Sequence, residues 1–184
     1  MRSSVPLAQP LTLPPFQMPT EPYTGSSHSM AAMKRMALAG ERSPDVRAWA
    51  LTVVRQVTPK DYMSEAAALY YDVCARIRYT RDPAHTELIN HPSVTLAQRA
   101  GDCDDQADLI RAGLGALLGA LGNAVEFAAV GFRPPQTAYR DPYSHVFIRV
   151  RDPKSGEWAI LDPVAGPRTA AMVAKVQTLK SVVV

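Results

Sequence analysis

Apolar residues recur at helical spacing in the first half of the chain. Ser43 and Pro44 form an N-cap and first-turn pair, and the apolar residues that follow suit an amphipathic helix over about 44–57. A second helix is predicted to begin near Ser64 and to end before Pro83. Both helices are expected to pack through one apolar face.

The pattern changes from helical to strand-like after residue 121. The most strongly helical segment, 103–121, follows Gly101 and Asp102, and Gly122 closes it. Turn residues then separate three predicted strands, at 124–132, 145–151 and 157–161. Helices followed by antiparallel strands are typical of an α+β domain.

Two segments show neither a helical nor a strand period. Residues 81–101 contain many turn residues and predict a long irregular loop. Six of the 16 prolines fall within the first 22 residues, which excludes a helix or a central strand there. We therefore predict a Pro-rich N-terminal arm at 1–42, with room for a short helix, and one domain at 43–184.

The arm has two interpretations. It is either a disordered terminus or an extended segment that docks on a partner or on the parent domain and so serves protein assembly. The apolar residues available for docking are Leu11, Leu13, Phe16 and Met18.

Composition narrows the functional classes. With 184 residues, 47% of them hydrophobic and 20% charged, the chain is expected to form one compact domain. No apolar run approaches the roughly 20 residues of a membrane-spanning helix, and prolines interrupt the region where a signal peptide would lie. The net charge of +3 is scattered along the chain, so neither nucleic acid nor a membrane is an expected partner. We expect a cytoplasmic protein, or a virion protein if a bacteriophage encodes the chain.

Two cysteines are too few for a disulfide framework or a four-cysteine metal site, so each is judged by its surroundings. Cys74 lies on the apolar stripe of the second helix and is predicted to be buried and unreactive. Cys103 lies at the first turn of the third helix. There the helix dipole and unpaired N–H groups favour an anion and can lower the pKa of a thiol. Cys103 is therefore the candidate nucleophile.

A nucleophilic thiol needs a base that a third group orients. Of the four histidines, His28 lies in the arm, and His85 and His91 lie in the predicted loop. His145 is on a predicted strand and is the best candidate base. Asp162 ends the next strand, so a hairpin between the two strands could bring its carboxylate beside the imidazole.

Three segments together resemble a known family. The runs 101–107 (GDCDDQA), 143–146 (YSHV) and 158–163 (WAILDP) resemble the transglutaminase-like superfamily, and more narrowly its small bacterial and bacteriophage cysteine peptidases. The resemblance covers about residues 44–165. It implies a papain-like α+β core with the nucleophile at the N-terminus of a central helix packed on an antiparallel sheet. It also implies Cys103 as nucleophile, His145 as base and acid, and Asp162 as the orienting carboxylate.

The resemblance also bears on residues near Cys103. Papain-like enzymes often place an oxyanion-hole glutamine shortly before the cysteine, and Gln98 stands in that region. An exposed loop position is the other interpretation of Gln98. The backbone N–H of Cys103, at a helix N-terminus, is a further candidate oxyanion donor.

Asp102, Asp104 and Asp105 surround the nucleophile with negative charge, which opposes thiolate formation. Three interpretations stay open. Asp102 could be an N-cap with two favourable first-turn acids behind it. The three could hold a calcium ion, as the resemblance to calcium-dependent bacterial members suggests. They could also pair with Arg99.

Other polar and aromatic residues have simpler expected roles. Asp108 and Glu126 are expected to be solvated. Core positions are expected for the aromatic residues Tyr79, Tyr143, Phe147 and Trp158.

These features predict cysteine-dependent acyl transfer, with hydrolysis of an amide or peptide bond through a thioester on Cys103. The substrate would be a protein or peptide, and no cofactor is required, with calcium the one candidate. The alternative is a non-catalytic structural or assembly protein, such as a bacteriophage virion component, that uses the fold and the arm for interactions.

Overall fold

The structure is a computed structural model that describes residues 16–18, 25–83, 86–118, 124–132, 143–168, 171–172, 175–176 and 178–183. The helices are α1 (Gly25–Gly40), α2 (Pro44–Val53), α3 (Tyr62–Arg76), α4 (Pro92–Gln98) and α5 (Cys103–Leu118). The strands are β1 (Phe16–Met18), β2 (Arg78–Tyr79), β3 (Glu87–Ile89), β4 (Ala100–Gly101), β5 (Val125–Gly131), β6 (His145–Arg151), β7 (Trp158–Leu161) and β8 (Thr178–Val183). None of the described helices is long and apolar enough to cross a membrane.

Four strands form an antiparallel sheet in the order β7-β6-β5-β8. Alternate residues of each strand point to opposite faces. On β6, Val146, Ile148 and Val150 belong to the main core with α5, while Phe147 belongs to a smaller core on the other face. The sheet is therefore covered on both faces.

Helix α5 lies at the centre of the domain. It contacts the four other helices and strand β6. Its polar residues are buried together with its apolar ones. Packing is so close that a Cβ added to Gly113 would lie 2.7 Å from the Trp49 ring.

The long periodic segments form the elements that their patterns predict. The helix predicted over 44–57 is α2, continued by a short 3₁₀ helix at Val54–Gln56. The three predicted strands are β5, β6 and β7, with end points within one residue of expectation. Helix α3 begins two residues before Ser64, and Asp61 caps it by accepting a hydrogen bond from the Ser64 N–H.

The prediction of an irregular loop at 81–101 is wrong. This segment contains β3, α4 and β4, which pair or pack with their neighbours. None of the three is longer than seven residues, too short to show a sustained hydrophobic period. Strand β8 was likewise not predicted. Gly122 lies outside the described residues.

Helix α1 packs into the domain, although residues 1–42 are predicted to form an arm with room for a short helix. Met30, Met33 and Ala37 are almost completely buried in the same core as α5. Their spacing of three and four residues is typical of an amphipathic helix, but the prolines before them favoured the prediction of an arm. Strand β1 pairs antiparallel with β3, so residues 16–18 of the expected arm lie on the parent domain. Leu11 and Leu13 lie outside the described residues.

The prediction that Cys74 is buried is wrong. The buried face of α3 carries Ala66, Leu69 and Val73. Cys74 follows Val73 by one residue, which turns its side chain about 100° around the helix axis. Its side chain is exposed, with Sγ 3.9 Å from the carbonyl oxygen of Pro163.

Replacing Met33 with Ala tests whether α1 is part of the domain. Because Met33 is 1% exposed, we expect the variant to lose about 2 to 5 kcal/mol of unfolding free energy, measured by urea denaturation. Leu51→Ala is the matched control, since Leu51 is 49% exposed and its change should stay within about 0.5 kcal/mol. Equal stability of the two variants would show that α1 is not a core element.

Candidate active site

Cys103 is positioned by the short strand that precedes it. Strand β4 pairs in parallel with β2 and leads directly into the first residue of α5. A Cβ on Gly101 would lie 2.6 Å from the Cβ of Asp105, so only glycine permits this approach to the helix. The backbone N–H groups of Asp104 and Val146 lie close enough to the Cys103 thiol to lower its pKa. The thiol is thus held between α5 and β6.

Asp162 holds His145 from the end of the neighbouring strand. The Nε2 of His145 is 2.7 Å from Oδ2 of Asp162, which is completely buried. Pro163 cannot continue the ladder of β7, and the chain turns. In this turn the N–H groups of Val164 and Ala165 donate to Oδ1 of Asp162 at 3.1 and 3.0 Å. The carboxylate is therefore fixed by backbone donors.

These contacts determine which nitrogen of His145 is available for chemistry. Oδ2 of Asp162 accepts a hydrogen bond, so Nε2 carries the hydrogen in the tautomer that satisfies both groups. In the neutral ring, Nδ1 then has a free lone pair. Nδ1 is the nitrogen that can act as a base.

Cys103 and His145 line the same cavity, which has a volume of about 320 Å³. The described contacts of these two residues include no hydrogen bond between them. Hydrogen bonds between catalytic groups are often long in an unliganded enzyme and shorten in the substrate complex. The structure thus brings the predicted nucleophile and base to one cavity, with the base oriented by the predicted carboxylate.

The cavity is also lined by residues that are not among the predicted site residues. Ser29, Met30 and Met33 of α1 contribute one side. Tyr79 and Tyr143, expected in the core, also line the cavity. Phe147 and Trp158 do not line it. Phe147 is buried in the core as predicted. The core prediction is wrong for Tyr79, which is 45% exposed, and for Trp158 of β7, which is 38% exposed and stacks with Arg149 of β6.

Burial of Cys103 opposes the effect of the helix N-terminus. Desolvation, followed by the negative charge of Asp102, raises the pKa of Cys103 to about 12. The backbone N–H groups of Val146 and Asp104 lower it but do not compensate. Burial and Asp102 therefore outweigh the helix N-terminus, as the predicted opposition of the acids to thiolate formation allows, and the resting side chain is a thiol.

The three aspartates around Cys103 form a compact cluster. Each can offer one oxygen such that the three lie within 4.8 Å of one another. Burial, then hydrogen bonding to Asp102, raises the pKa of Asp104 well above its usual range. Burial raises the pKa of Asp105 to about 7 although the backbone and side chain of Asn90 each donate to it at 2.8 Å. The buried Oδ1 of Asp102 has no hydrogen-bond partner among the described residues.

The ion pair considered between these aspartates and Arg99 is not formed. Arg99 is exposed and ends α4 in a left-handed conformation, with φ at 53°. The salt bridges of the described residues do not include it. Pairing with Arg99 therefore does not neutralise the cluster.

Asp108 lies one helical turn beyond the cluster, and the prediction that it is solvated is wrong. It is completely buried, and neither carboxylate oxygen has a hydrogen-bond partner within the described structure. Burial raises its pKa well above the usual range. The error arises because α5 is covered on all sides, so no face of its first turns is free for a solvated acid. Glu126, also expected to be solvated, is partly buried and pairs with Arg149.

Gln98 is not brought to the cavity. It is exposed at the end of α4 and is absent from the lining of the Cys103 cavity. Gln106 is buried nearby, but its Nε2 donates to the carbonyl oxygen of Gly101 at 3.0 Å. The backbone N–H of Cys103, at the first position of α5, remains the candidate oxyanion donor.

Two other histidines are described and neither lines this cavity. His28 is exposed on α1. His91 is 4% exposed and caps α4, where its Nδ1 accepts a hydrogen bond from the Ser93 N–H. Burial lowers the pKa of His91. His85 lies outside the described residues.

Comparison with known proteins gives a family match. The model of the transglutaminase-like superfamily matches residues 47–163, a range that includes Cys103, His145 and Asp162. No curated protein sequence matches the chain significantly.

Two solved structures align with this chain, the first of them with a similar fold. One is a protein of Parabacteroides distasonis ATCC 8503 whose proposed activity is that of a protease, with a TM-score of 0.53 and 13% sequence identity. The alignment covers 73% of this chain and 26% of that protein. The second is a proposed cysteine protease of Cytophaga hutchinsonii, with a TM-score of 0.48, 18% identity, and coverage of 88% and 57%. This chain thus spans less than two thirds of either protein.

The role of His91 can be tested by pH. A histidine whose folded pKa is lowered contributes stability that is present above its unfolded pKa, near 6.5, and is lost as the pH falls through the folded pKa. We expect the wild type to lose unfolding free energy between pH 7.5 and pH 5, and His91→Asn, which keeps a capping side chain, to lose less. His28→Asn is the control and should follow the wild type. Urea denaturation at both pH values measures the difference, and parallel curves for all three proteins would contradict this role.

Proposed function

We propose that this chain, which belongs to the transglutaminase-like superfamily, hydrolyses an amide bond of a protein or peptide through a thioester on Cys103. One observation carries the proposal. The buried carboxylate of Asp162 orients His145 through Nε2, and His145 lines the same cavity as Cys103, which lies at the N-terminus of α5. A nucleophile, a base and an orienting group in this order are what acyl transfer requires.

In the acylation step, Nδ1 of His145 takes the proton of Cys103 as Sγ forms a bond to the substrate's carbonyl carbon. Because the resting thiol has a pKa of about 12, proton removal accompanies the attack. Asp162 stabilises the imidazolium that forms. The carbonyl oxygen, now negative, accepts a hydrogen bond from the backbone N–H of Cys103.

The C–N bond then breaks, and Nδ1 of His145 gives its proton to the leaving amine. In the second step a water molecule attacks the thioester, with Nδ1 now accepting the proton of the water. The C–S bond breaks, the product leaves as a carboxylic acid, and Cys103 regains its proton. This scheme requires no cofactor.

We also propose that Asp102, Asp104 and Asp105 hold a calcium ion. The supporting observations are three carboxylates within reach of one cation and a buried Asp102 oxygen without a hydrogen-bond partner in the described structure. Oxygen ligands of this kind suit Ca²⁺. A bound cation would neutralise the charge beside Cys103 and so favour its thiolate.

Amide hydrolysis can be tested with a proteome-derived peptide mixture and mass spectrometry of the new termini. We expect cleavage by the wild type and a loss of about 10³-fold or more in Cys103→Ser and in His145→Gln, because each removes a reacting group. Cys74→Ser is the matched control and should retain the wild-type rate, since Cys74 lies on the outer surface of α3.

Addition of a primary amine to the same reaction separates hydrolysis from amine transfer. New carboxyl termini indicate water as the acceptor, and amide-linked amine indicates transfer. If the wild type and Cys103→Ser both leave the peptides intact, the chain is not an amide hydrolase. The assembly role would then be the better interpretation.

Calcium binding predicts a change in thermal stability. We expect micromolar to millimolar Ca²⁺ to raise the melting temperature, because an ion that binds only the folded state stabilises it by mass action. Asp104→Ala should abolish the response. Asp152→Ala is the control, since Asp152 caps a turn outside the cluster and its replacement should leave the response intact. A melting temperature that is indifferent to both Ca²⁺ and chelator would favour simple helix capping.

A further inference from the structure

A second cavity, of about 480 Å³, touches the site from another direction. It shares Ser144 and His145 with the Cys103 cavity, but Cys103 does not line it. We call it the Arg168 cavity, after one of its lining residues. Phe132 forms one wall, and its ring stacks near His145 with the centroids 6.4 Å apart. The base of the proposed reaction therefore faces both cavities.

The Arg168 cavity differs from the Cys103 cavity in charge. The Cys103 cavity is lined by the acids Glu87, Asp102 and Asp104. Among the described residues, the charged side chains that line the Arg168 cavity are Arg168 and Lys175. The remaining described lining is mainly apolar, with Val164, Ala165, Ala171 and Met172. Charge thus changes sign across His145.

The two cations have no acidic partner within the described chain. Both side chains are exposed, and the salt bridges of the described residues include neither. Arg168 is placed by the turn that also fixes Asp162: the Gly166 N–H donates to the Asp162 carbonyl oxygen, and the Arg168 N–H donates to that of Ala165. The position of Arg168 is therefore tied to the position of the catalytic carboxylate.

The proposed reaction determines on which side of the scissile bond the Arg168 cavity lies. The acyl carbon must lie at Cys103, and the leaving nitrogen must lie at His145 to receive its proton. A cavity that touches His145 but not Cys103 is therefore on the leaving-group side of the scissile bond. An apolar lining with two cations at its rim complements an apolar segment that carries a carboxylate.

We propose that the Arg168 cavity binds the leaving-group side of the substrate and selects a carboxylate there through Arg168 and Lys175. This inference rests on the proposed amide hydrolysis for its orientation. The carboxylate could belong to an acidic side chain or to the C-terminus of the substrate chain, and both present the same chemistry to the two cations.

Binding of leaving-group peptides tests the proposal without turnover. The full chain is labelled with ¹³C-methyl methionine and titrated with the dipeptides Leu-Glu-amide, Leu-Gln-amide and Leu-Lys-amide, whose free amines match the released product. The methyl resonance of Met172 reports on the cavity, and that of Met63, on α3, is the internal reference. Leu-Gln with a free C-terminus separates a terminal carboxylate from a side-chain carboxylate.

We expect Leu-Glu-amide to shift Met172 and to bind roughly three- to tenfold more tightly than Leu-Gln-amide, since exposed ion pairs contribute modestly. The preference should shrink at high salt because exposed charges are screened. Arg168→Gln and Lys175→Gln should each reduce it. Replacing both residues with Glu should reverse it in favour of Leu-Lys-amide. Tighter binding of Leu-Gln free acid than of its amide would identify a terminal carboxylate as a ligand.

Equal affinity for the Glu and Gln peptides, a preference that survives both Gln substitutions, or no shift of Met172 with any peptide would overturn the proposal. These outcomes are independent of catalysis. If Cys103→Ser cleaves as the wild type does while the Glu preference is present, amide hydrolysis by Cys103 fails and the carboxylate site stands. If cleavage needs Cys103 but no carboxylate preference exists, only the inference about the Arg168 cavity fails.

Discussion

Helix α5 packs against α1, α2, α3, α4 and strand β6, and this enclosure governs both the fold and the site. A helix enclosed on all sides cannot turn a polar face to water, so its aspartates are carried into the interior. Burial disfavours their charged forms and raises the pKa values of Asp104, Asp105 and Asp108. The acidic environment of Cys103 is thus a consequence of how the central helix is packed.

The same enclosure decides how the thiol can react. A helix N-terminus favours an anion by about 0.3 to 2 kcal/mol. Raising the pKa of Cys103 from 9.0 to about 12 corresponds to roughly 4 kcal/mol against the thiolate, so burial and Asp102 outweigh the dipole. In the proposed reaction a preformed thiolate is therefore unfavourable without a bound cation, and proton transfer to His145 accompanies the attack. In that reaction the orientation of His145 by Asp162 would matter more than the helix position of Cys103.

Sequence reasoning succeeded where the pattern is long and local. Helices α2 and α5 and strands β5 to β7 follow from periodicity and turn residues. The roles of Cys103, His145 and Asp162, which rest also on a family resemblance, stay a prediction. Sequence reasoning failed where tertiary packing decides the outcome. The exposure of Cys74 and the burial of Asp108 depend on which helix faces are covered, and α4 and β3 are stabilised by neighbours that are distant in sequence. The Arg168 cavity could not be predicted, because it joins Phe132 to residues more than 30 positions away.

The turn after β7 both holds the Asp162 carboxylate, which orients His145, and supplies residues that line the Arg168 cavity. Its N–H groups hold the Asp162 carboxylate, its residues Val164 and Ala165 form part of the Arg168 cavity, and Arg168 follows directly. Movement of this turn would shift the Asp162 carboxylate and the backbone of Arg168 together, since both are held by hydrogen bonds of the same short stretch. In the proposed reaction, a substrate carboxylate that engages Arg168 would therefore restrain the segment that orients His145. Under the two proposals, residues 162–168 would couple substrate selection to proton transfer without a contact between Arg168 and the reacting atoms.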